Sequence, residues 1–284
     1  MHRDLSERFD LSGKVAAVTG AGGALCGAMA HALGAAGVKV AVIDIDGEKA
    51  EARSQAIIDS KGTARAFRCD VVDGAELKDC YEAVCGLWGP PELLINGAGG
   101  NDPRGGTSES FHSAGGSSEP AAGSFFDLDA AGFRQVFDLN FMGTFLTTQA
   151  FSAGMVANGR GSIVNISSMS AFTPLTKVAA YSAAKAAVSN FTRWLAVHFA
   201  HTGVRVNALA PGFFMTEQLK FLHVDKNTGE LLPRGRQVIA HTPMGRYGQP
   251  DDLIGPLVWL LSAASSFVTG AVIPIDGGFS SYSI

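Results

Sequence analysis

The sequence predicts an α/β fold, a doubly wound parallel sheet of about seven strands with helices on both faces. Three observations predict it. Short apolar strands alternate with helical patterns of roughly 10–15 residues. The first strand runs into a glycine-rich turn and a helix, and the second strand ends in an acid. The small and polar residues that punctuate the chain, Thr19–Gly27, Asp44, Asp70, Asn96–Gly99 and Ser168, all fall at the carboxyl ends of strands. Ligands of such sheets bind beyond those ends, so one shared site is expected.

In order, Lys14–Thr19 reads as the first strand. The turn Gly20-Ala21-Gly22-Gly23-Ala24-Leu25-Cys26-Gly27 follows, then a helix over Ala28–Ala36 and a second strand, Val38–Asp44. This is the Rossmann-type dinucleotide-binding arrangement. The glycines let the backbone approach a pyrophosphate, and the helix amino end offers free N–H groups and a positive dipole. Asp44 is placed to accept the ribose hydroxyls. Asp46 follows it and no Arg or Lys flanks it, so a 2′-phosphate would meet repulsion and NAD is expected over NADP.

A helix over Gly47–Ser60 leads to a strand, Ala64–Cys69, ending at Asp70-Val71. A helix over Ala75–Leu87 leads to the strand of Leu93-Leu94-Ile95-Asn96 and its small-residue turn, Gly97-Ala98-Gly99. Residues 100–123 break the pattern. They are polar and Gly/Ser-rich, long for a loop in one domain; the first part is expected to touch substrate and the tip, near Ser113–Ser118, to be mobile. Asp127–Asn158 reads as one long helix bent near Gly143, with Asn140 in an apolar run. Then come the strand Ser162–Ser167, a helix carrying Tyr181, a strand at Val204–Pro211 and a second variable segment, 213–242. A helix at Asp251–Ser262 and a last strand, Ala271–Ile275, end at Asp276-Gly277-Gly278. No repeat or linker divides the chain, so residues 1–284 are expected to form one domain.

Apolar residues make up 46% of the 284 and charged residues 17%, enough for a sizeable core. The net charge of −4 argues against nucleic acid or an anionic membrane as partner. The first residues, Met1–Arg8, are charged and carry no secretory signal, and no apolar run reaches the roughly 20 residues of a membrane span. Cys26, Cys69, Cys80 and Cys85 show no metal-ligand spacing, so no metal is expected and the thiols read as free in a reducing cytoplasm.

Tyr181 and Lys185 stand four apart in Ala-rich helical sequence and share one helical face. A free phenol titrates near ~10, and an adjacent ammonium would bring it toward the neutral range where it can exchange protons. Ser168 follows a buried strand, where its hydroxyl could bond a substrate oxygen. A buried Asn140 needs partners, whether as a tie for the helix bend or as a group in the site.

These residues, in this order and at this spacing, resemble the short-chain dehydrogenase/reductase family over nearly the whole chain. The matching pieces are Thr19-Gly20 with its turn, Asp70-Val71, Asn96-Gly97-Ala98-Gly99, Asn140, Ser168, Tyr181 through Lys185, Pro211-Gly212 with Thr216, and Asp276-Gly277-Gly278. The resemblance implies an NAD(P)-dependent oxidoreductase in which Tyr181 is the general acid/base, Lys185 lowers its pKa and binds the nicotinamide ribose, Ser168 polarises the substrate carbonyl and Asn140 holds a relay water. It implies that Gly20, Gly22, Gly23, Ala24, Leu25, Asp44, Asp70, Val71, Asn96, Gly97, Ala98, Pro211, Gly212 and Thr216 line the cofactor, and it implies a homo-oligomer, tetramer or dimer, built through the long helices. Ser168 stands 13 residues before Tyr181, the family's spacing, and is preferred over Ser167.

Two turns depart from the family pattern. Ala24 and Cys26 take the places of its second and third turn glycines, and Gly97 takes the place of an asparagine in its Asn-Asn-Ala-Gly turn. A closer resemblance, carried by Gly23–Ala30, Ile95–Asn101, Thr173–Val178, Pro211–Gln218 and His241–Arg246, is to the bacterial sugar-acid branch, the D-mannonate oxidoreductases or fructuronate reductases. A substrate carboxylate would need a cation or donor nearby, because an unpaired buried charge is costly. Arg104, Lys177, Arg234, Arg236 and Arg246 are candidates, with Lys177 favoured by its place between Ser168 and Tyr181, and Asn101 could bond a hydroxyl.

Overall fold

The computed structural model describes residues 4–112, 123–226 and 228–283. The expected loop tip, Ser113–Ser118, lies outside the described residues.

A short helix α1 (Leu5–Phe9) precedes β1 (Val15–Thr19), α2 (Ala24–Ala35), β2 (Lys39–Asp44), α3 (Gly47–Asp59), β3 (Thr63–Arg68), α4 (Gly74–Trp88) and β4 (Leu93–Asn96). Then come α5 (Ala130–Phe137), α6 (Gly143–Ala157), β5 (Gly161–Ile166), α7 (Ala179–His198), β6 (Val204–Pro211), α8 (Glu217–His223), α9 (Pro233–Ala240), α10 (Ile254–Leu261) and β7 (Val272–Ile275). The strands form one parallel sheet in the order β3-β2-β1-β4-β5-β6-β7. Strand sequences that are apolar without alternation, such as Val15–Thr19, are buried on both faces, as a helix-covered parallel sheet requires.

Alternate strand residues feed two cores. Ala16, Val18, Val40 and Val42 pack with Met29, Leu33, Leu257 and Leu260 on one face. Val15, Ala17, Ala41 and Ile43 pack with Leu77, Val84, Phe151 and Met155 on the other. Each fully buried Leu, Val or Phe contributes about 1.5–3 kcal/mol by leaving water.

The chain moves outward from β1 to β3 and then crosses back to β4, beside β1. The carboxyl ends of β1 and β4 therefore flank the crevice where the sheet order reverses. Their turns interlock. The Thr19 hydroxyl accepts from the amides of Gly97 at 3.0 Å and Ala98 at 3.2 Å. Gly20 has φ +67°, and a β-carbon there would lie 2.8 Å from Ala98 backbone atoms.

Several helix limits differ from the sequence expectation, each for a local reason. The helix expected from Ala28, α2, starts at Ala24, four residues early, because Gly23 already has the extended conformation of an N-cap. The long helix starts at Ala130, where Asp129 caps the amides of Ala131 and Gly132. Its irregularity is a π turn over Asp138–Met142, upstream of Gly143. The stretch expected as Asp251–Ser262 opens as a 3₁₀ turn, Pro250–Leu253, before α10. Segment 213–242 holds α8 and α9.

Candidate active site

At one end of the crevice the Asp44 carboxylate is fixed on both oxygens. Gly22 N donates to Oδ2 at 2.9 Å and Asp46 N to Oδ1 at 3.0 Å. Gly23 is the N-cap of α2, and no side chain caps that helix. The first-turn amides of Ala24 and Leu25 are thus left for an anion, and Asp44 beside them for hydroxyl donors. These residues fit a dinucleotide.

Ile45 (59% exposed) and Val72 (41% exposed) stand just past the ends of β2 and β3, apolar surfaces suited to a flat base. Sequence reasoning missed them, although each directly follows a residue it had singled out. Val71 is buried against Gly143, and Asp70 accepts from Val72 N at 3.1 Å. Asn96 can meet the crevice only through its backbone. Its side chain turns into the core, 1% exposed, and donates to Thr148 and Asn165, both at 2.8 Å. The strand ladder holds Asn165 there, so Asn96 offers the crevice no side-chain amide. Gly212 N bonds Ile275 O at 2.9 Å next to Pro211, and the Thr216 hydroxyl caps α8 by accepting from Leu219 N at 3.2 Å.

At the other end four side chains meet. The Ser168 hydroxyl favours the charged form of the Tyr181 phenol. The Lys185 ammonium lies 5.6 Å from the centre of the Tyr181 ring and donates to Ile166 O at 2.8 Å. Gly99 brings in the fourth: a β-carbon there would lie 2.5 Å from Asn140 Oδ1 and 3.2 Å from Lys185 Nζ. Only glycine lets those two groups approach, a requirement that Asn96–Gly99 carries silently in sequence. Ser167 is spent on structure, donating to Lys185 O at 3.1 Å and sharing a 2.6 Å bond with Ser189. Ser168, on the opposite side of the strand end, is left to the crevice.

The electrostatics differ from the sequence expectation. Burial pushes the Tyr181 phenol above its ordinary value, and the Ser168 hydroxyl draws it part of the way back. Burial pushes Lys185 itself down to about 8. Burial thus penalises both charged forms, the phenolate and the ammonium, relative to water.

The rim is formed by the root of the long loop. Arg104 is bound by Asp102 and Gln135. Arg246 is bound by Asp252, Arg236 by Leu231 O and Arg234 by Gln237. Lys177 is exposed, and among the described residues no acid pairs with it. Its backbone has φ +74°, unusual for a side-chain-bearing residue. Its carbonyl accepts from Thr107 N at 2.9 Å and lies where a Gly106 side chain would sit. Asn101 is exposed on the same loop root. Across the rim, buried His223 shares a 2.9 Å bond with the Tyr247 hydroxyl, holding α8.

Comparison with known proteins gives this geometry relatives. Residues 20–280 match the sequence family described as enoyl-(acyl carrier protein) reductase. The chain is similar to an oxidoreductase named UxuB from Bacillus subtilis (strain 168), 48% identical over 96% of this chain and 97% of that one. It is 35% identical, over 95% and 96% of the two chains, to a galactitol 2-dehydrogenase (L-tagatose-forming) from Cereibacter sphaeroides. Among solved structures, it superposes with TM-score 0.92 and 41% identity, over 99% of both chains, on a Haemophilus influenza protein with bound NAD, provisionally named a D-mannonate oxidoreductase. With a seven-stranded parallel sheet and this crevice, the chain is an oxidoreductase that belongs to the short-chain dehydrogenase/reductase family.

Proposed function

We propose that the protein interconverts a ketone and a secondary alcohol on a sugar acid of the fructuronate/mannonate type, with NAD(H) as hydride carrier. The observation that carries the reaction class is the convergence of Tyr181, Ser168, Lys185 and Asn140 around Gly99. When bound, the nicotinamide supplies or accepts the hydride. Tyr181 gives a proton to the carbonyl oxygen in reduction and takes it back in oxidation. Ser168 bonds the same oxygen and orients it. Lys185 holds the ribose, and Asn140 positions a water through which the proton reaches solvent. Much of the acceleration comes from holding the reacting groups at contact distance.

NAD is favoured over NADP because the anchored Asp44 carboxylate would repel a 2′-phosphate. Two cations lie closer to it than the sequence suggested. Arg68 pairs with Asp44 in strand register and Lys49 lies in the first turn of α3, but they are engaged by Glu76 and Asp46 respectively. The sugar-acid assignment is supported by the provisional name of the NAD-bound relative and by Lys177, an exposed cation that no acid pairs with among the described residues. The galactitol relative favours a second reading, a neutral polyol.

The exposed Trp194 and Val197 on α7, with Phe191 stacked on Trp194, support assembly as a homotetramer or dimer through the long helices. Among the described residues no helix is long and apolar enough to cross a membrane, and a cytoplasmic enzyme on a small-molecule substrate is the reading we adopt.

The experiment is NADH oxidation, followed by absorbance, with fructuronate, fructose and an acetoacetyl thioester. Preference for fructuronate supports the sugar-acid reading. Turnover of only the neutral sugar or the thioester keeps the chemistry and rejects that substrate. NADH binding without any turnover favours a dinucleotide sensor.

A further inference from the structure

The two departures from the family pattern touch each other. Cys26 lies in the first turn of α2, 5% exposed, and Gly97 opens the turn after β4. A β-carbon built on Gly97 would fall on Cys26 Sγ; its next neighbours are Thr19 O at 3.0 Å and Cys26 Cβ at 3.4 Å. The sulfur therefore occupies the space that any side chain at 97 would need. The same two turns are joined by the bonds from Gly97 and Ala98 to Thr19 and by the contact of Gly20 with Ala98.

We propose that Cys26 is a positioning residue for the dinucleotide: its sulfur is the spacer that fixes the glycine-rich turn against the Gly97-Ala98 turn, and Gly97 is its obligate counterpart. The losses of a glycine at 26 and of a side chain at 97 are then one compensated change. Cys26 acts as a small apolar filler rather than a nucleophile, since burial pushes its thiol up to about 12 and keeps it protonated. A free spacer of this size is sensitive to a single added carbon, because interiors are close-packed.

The cofactor part rests on the proposed dinucleotide reading; the packing part does not. The test is a double-mutant cycle with Gly97→Ala, Cys26→Ala and both together. NADH affinity is read by fluorescence titration, KM for NADH is compared with kcat, and Tm is recorded for each protein. In the double variant the new methyl takes up the space vacated by the sulfur. The expected outcome is an NADH affinity about tenfold weaker for Gly97→Ala, about threefold weaker for Cys26→Ala, and within about threefold of wild type for the pair, a coupling well outside additivity. KM for NADH is expected to rise more than kcat falls in Gly97→Ala, which a general loss of stability would not produce.

A harmless Gly97→Ala, or a double variant as weak as the product of the singles, overturns the proposal. If Gly97→Ala does not fold, recovery of folding in the double variant supports the packing and its failure overturns it. If the wild type binds no NADH, the dinucleotide reading and the positioning role fall together, while the Tm cycle still decides whether sulfur and glycine are counterparts.

Discussion

The Asn140 side chain and the Gly100 backbone are bonded in both directions. Asn140 Nδ2 donates to Gly100 O at 2.7 Å, and Gly100 N donates to Asn140 Oδ1 at 3.3 Å. The same Nδ2 donates to Val136 O at 2.8 Å. One amide thus ties the loop root to the long helix beside Lys185. Asn140→Asp removes both donors and sets a carboxylate against two carbonyls. Urea denaturation is expected to show a loss of about 2 kcal/mol or more, as for a buried polar group left unpaired, with kcat reduced as well. Unchanged stability would separate the loop root from Asn140.

Tyr181→Phe deletes the proton donor and leaves the ring. The expected outcome is a fall in kcat of about 10²–10⁴-fold, the usual share of general acid–base catalysis. NADH affinity is expected to stay near wild type. Near-normal turnover would contradict the assignment.

The raised Tyr181 sets the direction of the pH dependence. Ketone reduction needs the protonated phenol, so its rate is expected to hold through neutral pH and fall only in the alkaline range. Alcohol oxidation needs the phenolate and is expected to rise with pH. Steady-state profiles in the two directions check this, and an oxidation rate that falls from pH 7 to 9 would reject Tyr181 as the titrating group.

Lys185 makes stability pH-dependent. In the folded chain it loses its proton near 8, in the unfolded chain near 10.5. Between those values the unfolded state binds more protons, so this lysine's contribution to stability rises with pH. Denaturation of wild type and Lys185→Met in parallel from pH 7 to 10 is expected to show wild type gaining on the variant. A constant gap would show that the ammonium is not desolvated.

Lys177 separates backbone from charge. Lys177→Gly removes the cation and relieves the left-handed conformation. The expected outcome is unchanged or higher Tm with a raised KM for a sugar acid. Gly106→Ala keeps the cation but drives a methyl into the Lys177 carbonyl, and is expected to lower Tm. An unchanged KM for a sugar acid in Lys177→Gly, with catalysis intact, would remove Lys177 from the substrate site.

The parts of this molecule that depend on chain-local rules were legible in its sequence. The strand–turn–helix of Thr19–Ala35, the acid ending β2 and the four-residue spacing of Tyr181 and Lys185 each follow from periodicity or turn chemistry. What sequence did not disclose depends on residues far apart. Asn96 bonds residues 52 and 69 positions away. Arg68 reaches Asp44 only through strand register. The depression of Lys185 requires knowing that it is buried, and the fit of Cys26 to Gly97 requires knowing that two turns touch.

The π turn at Asp138–Met142 adds one residue to a helical circuit. Everything after it is rotated by about 100° relative to an unbroken α-helix. That phase shift lets Asn140 meet Gly100 while Thr148 still reaches Asn96 of β4 and Phe151 the core. Before and after the turn, the helix answers to two different neighbours, the reaction on one side and the core on the other. Deleting a single residue there would restore a regular rod and put one of those two faces out of register, whatever the sequence on either side.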